Sequence, residues 1–374
     1  MWWRGRLACT SRRKTAGAEE RRCQPEAATA ELPRGARPTP EFAGPADTGG
    51  ARRQHHIRAR RNELQSATEA RRVERYAVLT MLYWLTPYEF SPTLLGVWLF
   101  GALLYARGVR KRRVPRARQW SFWSGMALAY ITLLTRFDFY ALHQFFIDRI
   151  QQVVMHHLAP MLIMLAYPLS TWRAALPIRW RARGISAIGR STPARIAAAL
   201  LFNPTLATLL FVALVLVWLI PRAMTLAMLD WRLYWLMNAS MLVSGLIYWG
   251  LVLDHRPRPP ARMAPGMRVL SPVLSMTPQI VAGALITFHR TDLYPIFSIC
   301  GRALDVNVLT DQQIGGLITW IPASMIESVA ALIALGIWAR LSQRLRGRQR
   351  RVRSDGDRFA DSKEGDQGHE FIRP

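Results

Sequence analysis

Residues 142–160 read Leu142-His143-Gln144-Phe145-Phe146-Ile147-Asp148-Arg149-Ile150-Gln151-Gln152-Val153-Val154-Met155-His156-His157-Leu158-Ala159-Pro160, and an almost wholly apolar run to residue 169 follows. On a helix Asp148, Gln152 and His156 fall at i, i+4 and i+8 and make one stripe, flanked by Gln144 and Arg149. The segment with its apolar continuation exceeds the roughly 20 residues needed to cross a hydrocarbon core. A charged group at mid-depth costs about 2.5–3.5 kcal/mol on insertion scales, so this stripe cannot face lipid. It must line the interior of a bundle, which makes the fold class all-α, a polytopic membrane helix bundle.

Working outward, further apolar segments occupy residues 91–107, 120–135, 194–220, 233–253, 269–288 and 313–339. With 142–169 they predict about seven transmembrane helices in a domain covering residues 76–340. Loops 107–118, 173–195 and 254–268 and the tail from 340 are basic, whereas 136–142, 222–231 and 289–311 are nearly neutral or mixed. The positive-inside rule then predicts an N-out, C-in topology. Residues 1–75 and 341–374 lack a sustained apolar period and are expected to be disordered basic tails. The first tail is basic yet would lie outside. A start at Met81 removes that conflict, so residues 1–80 are expected to be absent from the mature protein or inert.

The 374 residues hold 50 Lys and Arg against 24 Asp and Glu, a net charge of +26. That charge sits in tails and alternate loops, with no phosphate loop or zinc-finger spacing beside it, which excludes nucleic acid and leaves the lipid bilayer as the anionic partner. Cys9, Cys23 and Cys300 form no CxxC pair and no even framework, so a metal site would have to use His, Met, Asp or Glu. No Ser/His/Asp set and no HExxH motif is present, and hydrolase chemistry is not expected.

The candidate metal ligands are His143, His156, His157, His289 and Asp311, with Asp148, Gln152, Asp292, Gln312 and Gln313 as further polar membrane residues. The topology puts Asp138, His143, Asp148, His289, Asp292 and Asp311 toward the outer side. His143 and His157 lie about four helical turns apart, roughly 20 Å, so co-ligands for either must come from other spans. Met155, Met161 and Met164 add thioethers, and imidazole with thioether suits copper, above all Cu(I). So many imidazole and carboxyl groups are expected to converge on one sheltered pocket. Plainer readings compete: histidines as interhelical hydrogen-bond partners, Asp148 and Arg149 as a neutralised pair, methionines as packing, and Asp254-His255-Arg256-Pro257 as the anchor of a span terminus. Gly315 and Gly316 permit close helix approach, Pro322 frees a carbonyl, and Glu327 is a buried acid that needs a partner.

Four stretches together resemble the CtaG-type cytochrome c oxidase assembly factors, a bacterial seven-span family. They are the opening Trp84-Leu85-Thr86-Pro87-Tyr88-Glu89-Phe90-Ser91-Pro92, His157-Leu158-Ala159-Pro160, Asp292-Leu293-Tyr294-Pro295, and Asp311-Gln312-Gln313-Ile314-Gly315-Gly316 leading to Trp320-Ile321-Pro322. The resemblance implies a non-enzymatic, multi-pass protein of the bacterial inner membrane. Its implied partners are cytochrome c oxidase subunits, and its implied task is copper delivery to, or maturation of, the oxidase copper centre at the outer face. Where that family pattern carries two histidines four apart, eight and twelve residues before the proline, this chain has Gln152 and Asp148. Two other classes are compatible with the residues alone: a b-type haem protein with histidines as axial ligands, and a small-solute or proton transporter using Asp148, Arg149 and Glu327.

Overall fold

The computed structural model describes residues 92–177, 191–299 and 301–370, together with Tyr83 and Thr86. The tail 1–75, Met81, most of the opening segment 84–91, and Cys9, Cys23 and Cys300 lie outside the described residues. The regular elements all belong to the unit that starts at Trp84.

Among the described residues these elements are helical. Helix α1 covers Pro92–Lys111 and α2 Arg116–Leu134. The stretch quoted at the outset forms α3 (Phe137–His143), α4 (Phe145–Val153), a π turn (Val154–Leu158) and α5 (Ala159–Leu165), after which the chain bends by 62° into α6 (Pro168–Ala175). A second bend, of 67°, separates α7 (Thr192–Leu201) from α8 (Pro204–Leu219). Each bend falls just before a proline, Pro168 or Pro204, which denies the helix an N–H and pushes the preceding residue out of helical conformation. Then come α9 (Pro221–Leu229), α10 (Trp231–Val252), α11 (Pro265–Phe288), the short α12 (Ile296–Ile299) and the long α13 (Val308–Glu370).

Among the described residues four helices are long and apolar enough to cross a membrane, and counting each bent pair as one span brings the number to six. Segment 120–135 falls in α2, a helix of 19 residues whose start, Arg116-Ala117-Arg118-Gln119, is polar. Helix α13 continues beyond its apolar part through residues 341–370. Extending an existing helix needs no new nucleus, and this segment is rich in Arg and Gln, which favour helix.

The inside and outside of the bundle are inverted relative to a water-soluble protein. Phe288 is 77% exposed and Leu285 68%, whereas Asp148, Asp311 and Glu327 are 0% exposed. Only a lipid surround makes both arrangements favourable at once.

Helix α13 packs against α11 and α4 through positions without side chains. A Cβ on Gly316 would lie 2.4 Å from Thr287 Oγ1 and 2.7 Å from its backbone nitrogen, and one on Gly283 would meet the Trp320 ring at 2.5 Å. Two helices can approach this closely only where both present such positions. Across the bundle, the Phe211 ring stacks on His156 on one face and on Tyr248 on the other, each at 4.0 Å.

Gly316→Val should therefore force α13 away from α11 and cost about 1–3 kcal/mol, the range for overpacking a tight contact. Gly336→Val, where nothing lies within 4 Å, is the control. Thermal unfolding of the two variants in detergent checks this, with a lowered midpoint expected for the first alone.

Candidate functional site

The break between α3 and α4 sets up the first half of the site. Gln144 is extended, with φ −146° and ψ 122°, and makes no side-chain cap for the helix it precedes. Asp311, in the first turn of α13, supplies the cap instead. Its carboxylate accepts from Phe145 N at 3.2 Å and from Phe146 N at 2.9 Å. A carboxylate at the positive end of a helix satisfies orphan N–H groups and the helix dipole together. Arg302 donates to the same carboxylate at 2.5 Å, so the buried charge is paired.

One turn further in, Arg149 folds back onto its neighbour Asp148 in an ion pair buried on both sides. Gly315 makes room for this, because a Cβ there would strike the Phe145 ring at 2.3 Å and approach Arg149 Cγ at 3.3 Å. Beside the pair, Tyr234 OH donates to Asp138 at 2.5 Å and Gln151 Nε2 donates to the same oxygen at 2.9 Å. Tyr294 closes the cluster from the loop after α11, stacked on Phe145 at 4.2 Å and donating to Leu219 O at 2.7 Å. Burial pushes its hydroxyl up to about 12, which keeps it a donor. The side-chain amide of Gln144, which is buried, finds no hydrogen-bond partner among the described residues.

The second half lies deeper and depends on the π turn, in which Ala159 N reaches back to Val154 O, one residue further than in an α-helix. The extra residue lets two consecutive histidines both point inward, at different neighbours. His156 Nδ1 lies 2.8 Å from Met241 O and 3.3 Å from Ser244 Oγ, and Nε2 lies 3.1 Å from Phe211 O, so one nitrogen donates to a carbonyl and the other is also enclosed by oxygens of the chain, which leaves no open face for an ion. His157 Nε2 lies 3.1 Å from Glu327 Oε1. Gln279 Nε2 donates to that same oxygen at 2.8 Å, and Ser275 Oγ to Oε2 at 3.1 Å. Tyr248 OH lies 3.3 Å from both Ser275 Oγ and Ser271 Oγ and extends the network to α10. Glu327 thus has the partner its burial demands, and the network ties the π turn, α11 and α13 around one carboxyl.

At the opposite end, Asp254 holds Arg256 in a two-point pair at 3.0 and 2.8 Å. That carboxylate raises the pKa of the Arg256 guanidinium. The buried Arg268 donates to the Met263 and Arg256 carbonyls, each at 3.1 Å. This arrangement fastens the loop between α10 and α11 and fits a span-terminus anchor.

The candidate ligands do not converge on one pocket. His143 Nδ1 is 2.7 Å from Phe139 O in its own helix. His289 is exposed and bonds locally to Thr291, and Asp292 closes a turn by accepting from Tyr294 N at 2.9 Å. Gln312 is buried and holds the loop by accepting from Leu293 N at 2.7 Å, while Gln313 is exposed. Among the described residues no three of His, Cys, Asp and Glu are placed to share a metal ion. Nor do His156 and His157, with ring centroids 4.9 Å apart, leave room for a haem between them. Sequence reading missed Ser275, Gln279, Tyr248 and Arg302. A signal did exist for the first two, since Ser271, Ser275 and Gln279 repeat at i, i+4, i+8 through an otherwise apolar span.

Against known proteins, the sequence model described as cytochrome c oxidase caa3 assembly factor (Caa3_CtaG) matches residues 98–341, well over half of the chain. No curated protein and no solved structure matches.

Removing one side of the deep pair should cost far more than removing both. His157→Leu and Glu327→Leu are each expected to destabilise by about 3–5 kcal/mol, and the double variant by less than the sum. A double-mutant cycle on thermal unfolding measures this, and strict additivity would refute the pairing.

Proposed function

The chain belongs to the cytochrome c oxidase caa3 assembly factor family, and from that membership we propose that it acts in the bacterial inner membrane by engaging oxidase subunits while the enzyme matures. The proposed topology has about seven spans, with the basic loops in the cytoplasm and the Asp311 end at the outer face. The observation that carries this reading is the family match over residues 98–341. The buried Asp311–Arg302 and Asp148–Arg149 pairs support it, because they give the Asp311 end a fixed shape against which a partner can dock.

Copper enters the proposal as cargo. The version that rests on one buried pocket is given up, since both His156 nitrogens are enclosed by oxygens of the chain. In its place, His143 and His289 stand at the Asp311 end with Nδ1 hydrogen-bonded. Their Nε2 atoms remain for a soft ion, and oxidase residues would complete its coordination.

Deletion of the gene in a host with a caa3-type oxidase is expected to abolish oxidase activity and to lower the copper content of the purified enzyme, with both restored by the wild-type gene. Normal activity and copper after deletion would sink the assembly role. Full copper loading supported by a His143→Ala, His289→Ala double variant would sink the cargo reading alone.

A further inference from the structure

Helix α7 differs from the helices around it. None of its ten residues is buried, and it leaves the axis of α8 by 67°. The two helices reach span length only as a pair, and with α8 along the bilayer normal the bend sets α7 nearer the membrane plane, the setting of an interfacial amphipathic helix. Ile196 and Leu200, one turn apart, are 56% and 53% exposed and give it an apolar side.

Along this helix runs a groove of about 650 Å³, lined by Thr192, Ala194, Arg195, Ile196, Ala198, Ala199 and, from the loop after α10, Arg262. Arg262 is held in place, with Nη1 donating to Ala198 O at 2.8 Å and its guanidinium 5.5 Å from the centre of the Phe202 ring. Neither arginine has an acidic partner among the described residues, and the acid nearest to Arg262 along the chain, Asp254, is taken by Arg256. Two guanidinium groups suit a phosphate, which accepts their paired N–H donors. Apart from Thr192, the rest of the lining is aliphatic. A free phosphate has no use for an aliphatic wall, whereas an amphiphile does.

We propose that this groove binds an anionic phospholipid, its headgroup phosphate between Arg195 and Arg262 and an acyl chain along the Ile196–Leu200 side of α7. The site is separate from the polar clusters in the bundle and does not depend on the assembly role. It also lies on a basic loop side, where anionic lipid attracts juxtamembrane arginines.

Native mass spectrometry of the full chain in detergent, titrated with phosphatidylglycerol, phosphatidylcholine or glycerol phosphate, tests the assignment. Phosphatidylglycerol should be retained several-fold more than phosphatidylcholine, and equimolar glycerol phosphate should not displace it. Arg195→Gln should remove most of that preference, while Arg110→Gln, an exposed arginine elsewhere, should leave it. Equal retention of the two lipids by the wild-type chain would overturn the proposal, and this comparison needs no variant to fold. It would also be overturned by equal losses in both arginine variants, which mark diffuse charge attraction, or by displacement with glycerol phosphate, which marks a plain phosphate site.

Discussion

Hydrocarbon offers no water to a charged or polar group, so each such group here has to be answered by another part of the same chain. The Glu327 carboxyl shows how far that demand reaches. Its neighbours come from a π turn on one helix and from two successive turns of another, and a hydroxyl on a third helix backs them. Remove the demand and there is no reason for these helices to cross where they do. The glycines at the α11–α13 crossing let the backbones approach closely enough for the short Ser275 side chain to reach the acid.

The same rule explains the upper cluster. Asp311 does three things with one carboxylate: it caps a helix that begins abruptly, neutralises Arg302, and joins the first turn of α13 to the middle of the polar span. The charges of this end are thus paired and held in fixed geometry inside the bundle.

Much of the bundle was legible in the sequence, because burial of a polar stripe and exposure of an apolar surface leave opposite marks on a helical period. The i, i+4, i+8 row of Asp148, Gln152 and His156 does face inward, whereas the bends at Tyr167-Pro168 and Asn203-Pro204 fall within or at the edge of segments read as single spans. What stayed hidden was of two kinds. The Asp311 cap joins residues far apart in sequence, and nothing local at Phe145 announces it. The π turn adds a residue that no periodicity of side chains encodes, so the regular helix behind the Asp148, Gln152 and His156 row did not show that His157 faces inward beside His156. Ser271, Ser275 and Gln279 were a different matter: their repeat was visible and went unread. The helical continuation of α13 past residue 341 reflects propagation from a packed helix, which composition alone does not report.

The π turn has one more consequence. It holds one of two fixed points of the same span, His157 on its acid, the other being Phe145 under its carboxylate cap. The number of residues between those points is therefore as constrained as their chemistry. Substitutions along the intervening stretch can be absorbed by repacking. A deletion of one residue would either rotate one anchor about 100° away from its mate or convert the wide turn into a regular one, with the loss of one of the two inward histidine positions. In this span, then, insertions and deletions are the damaging class of genetic change, and the ruler matters as much as the marks on it.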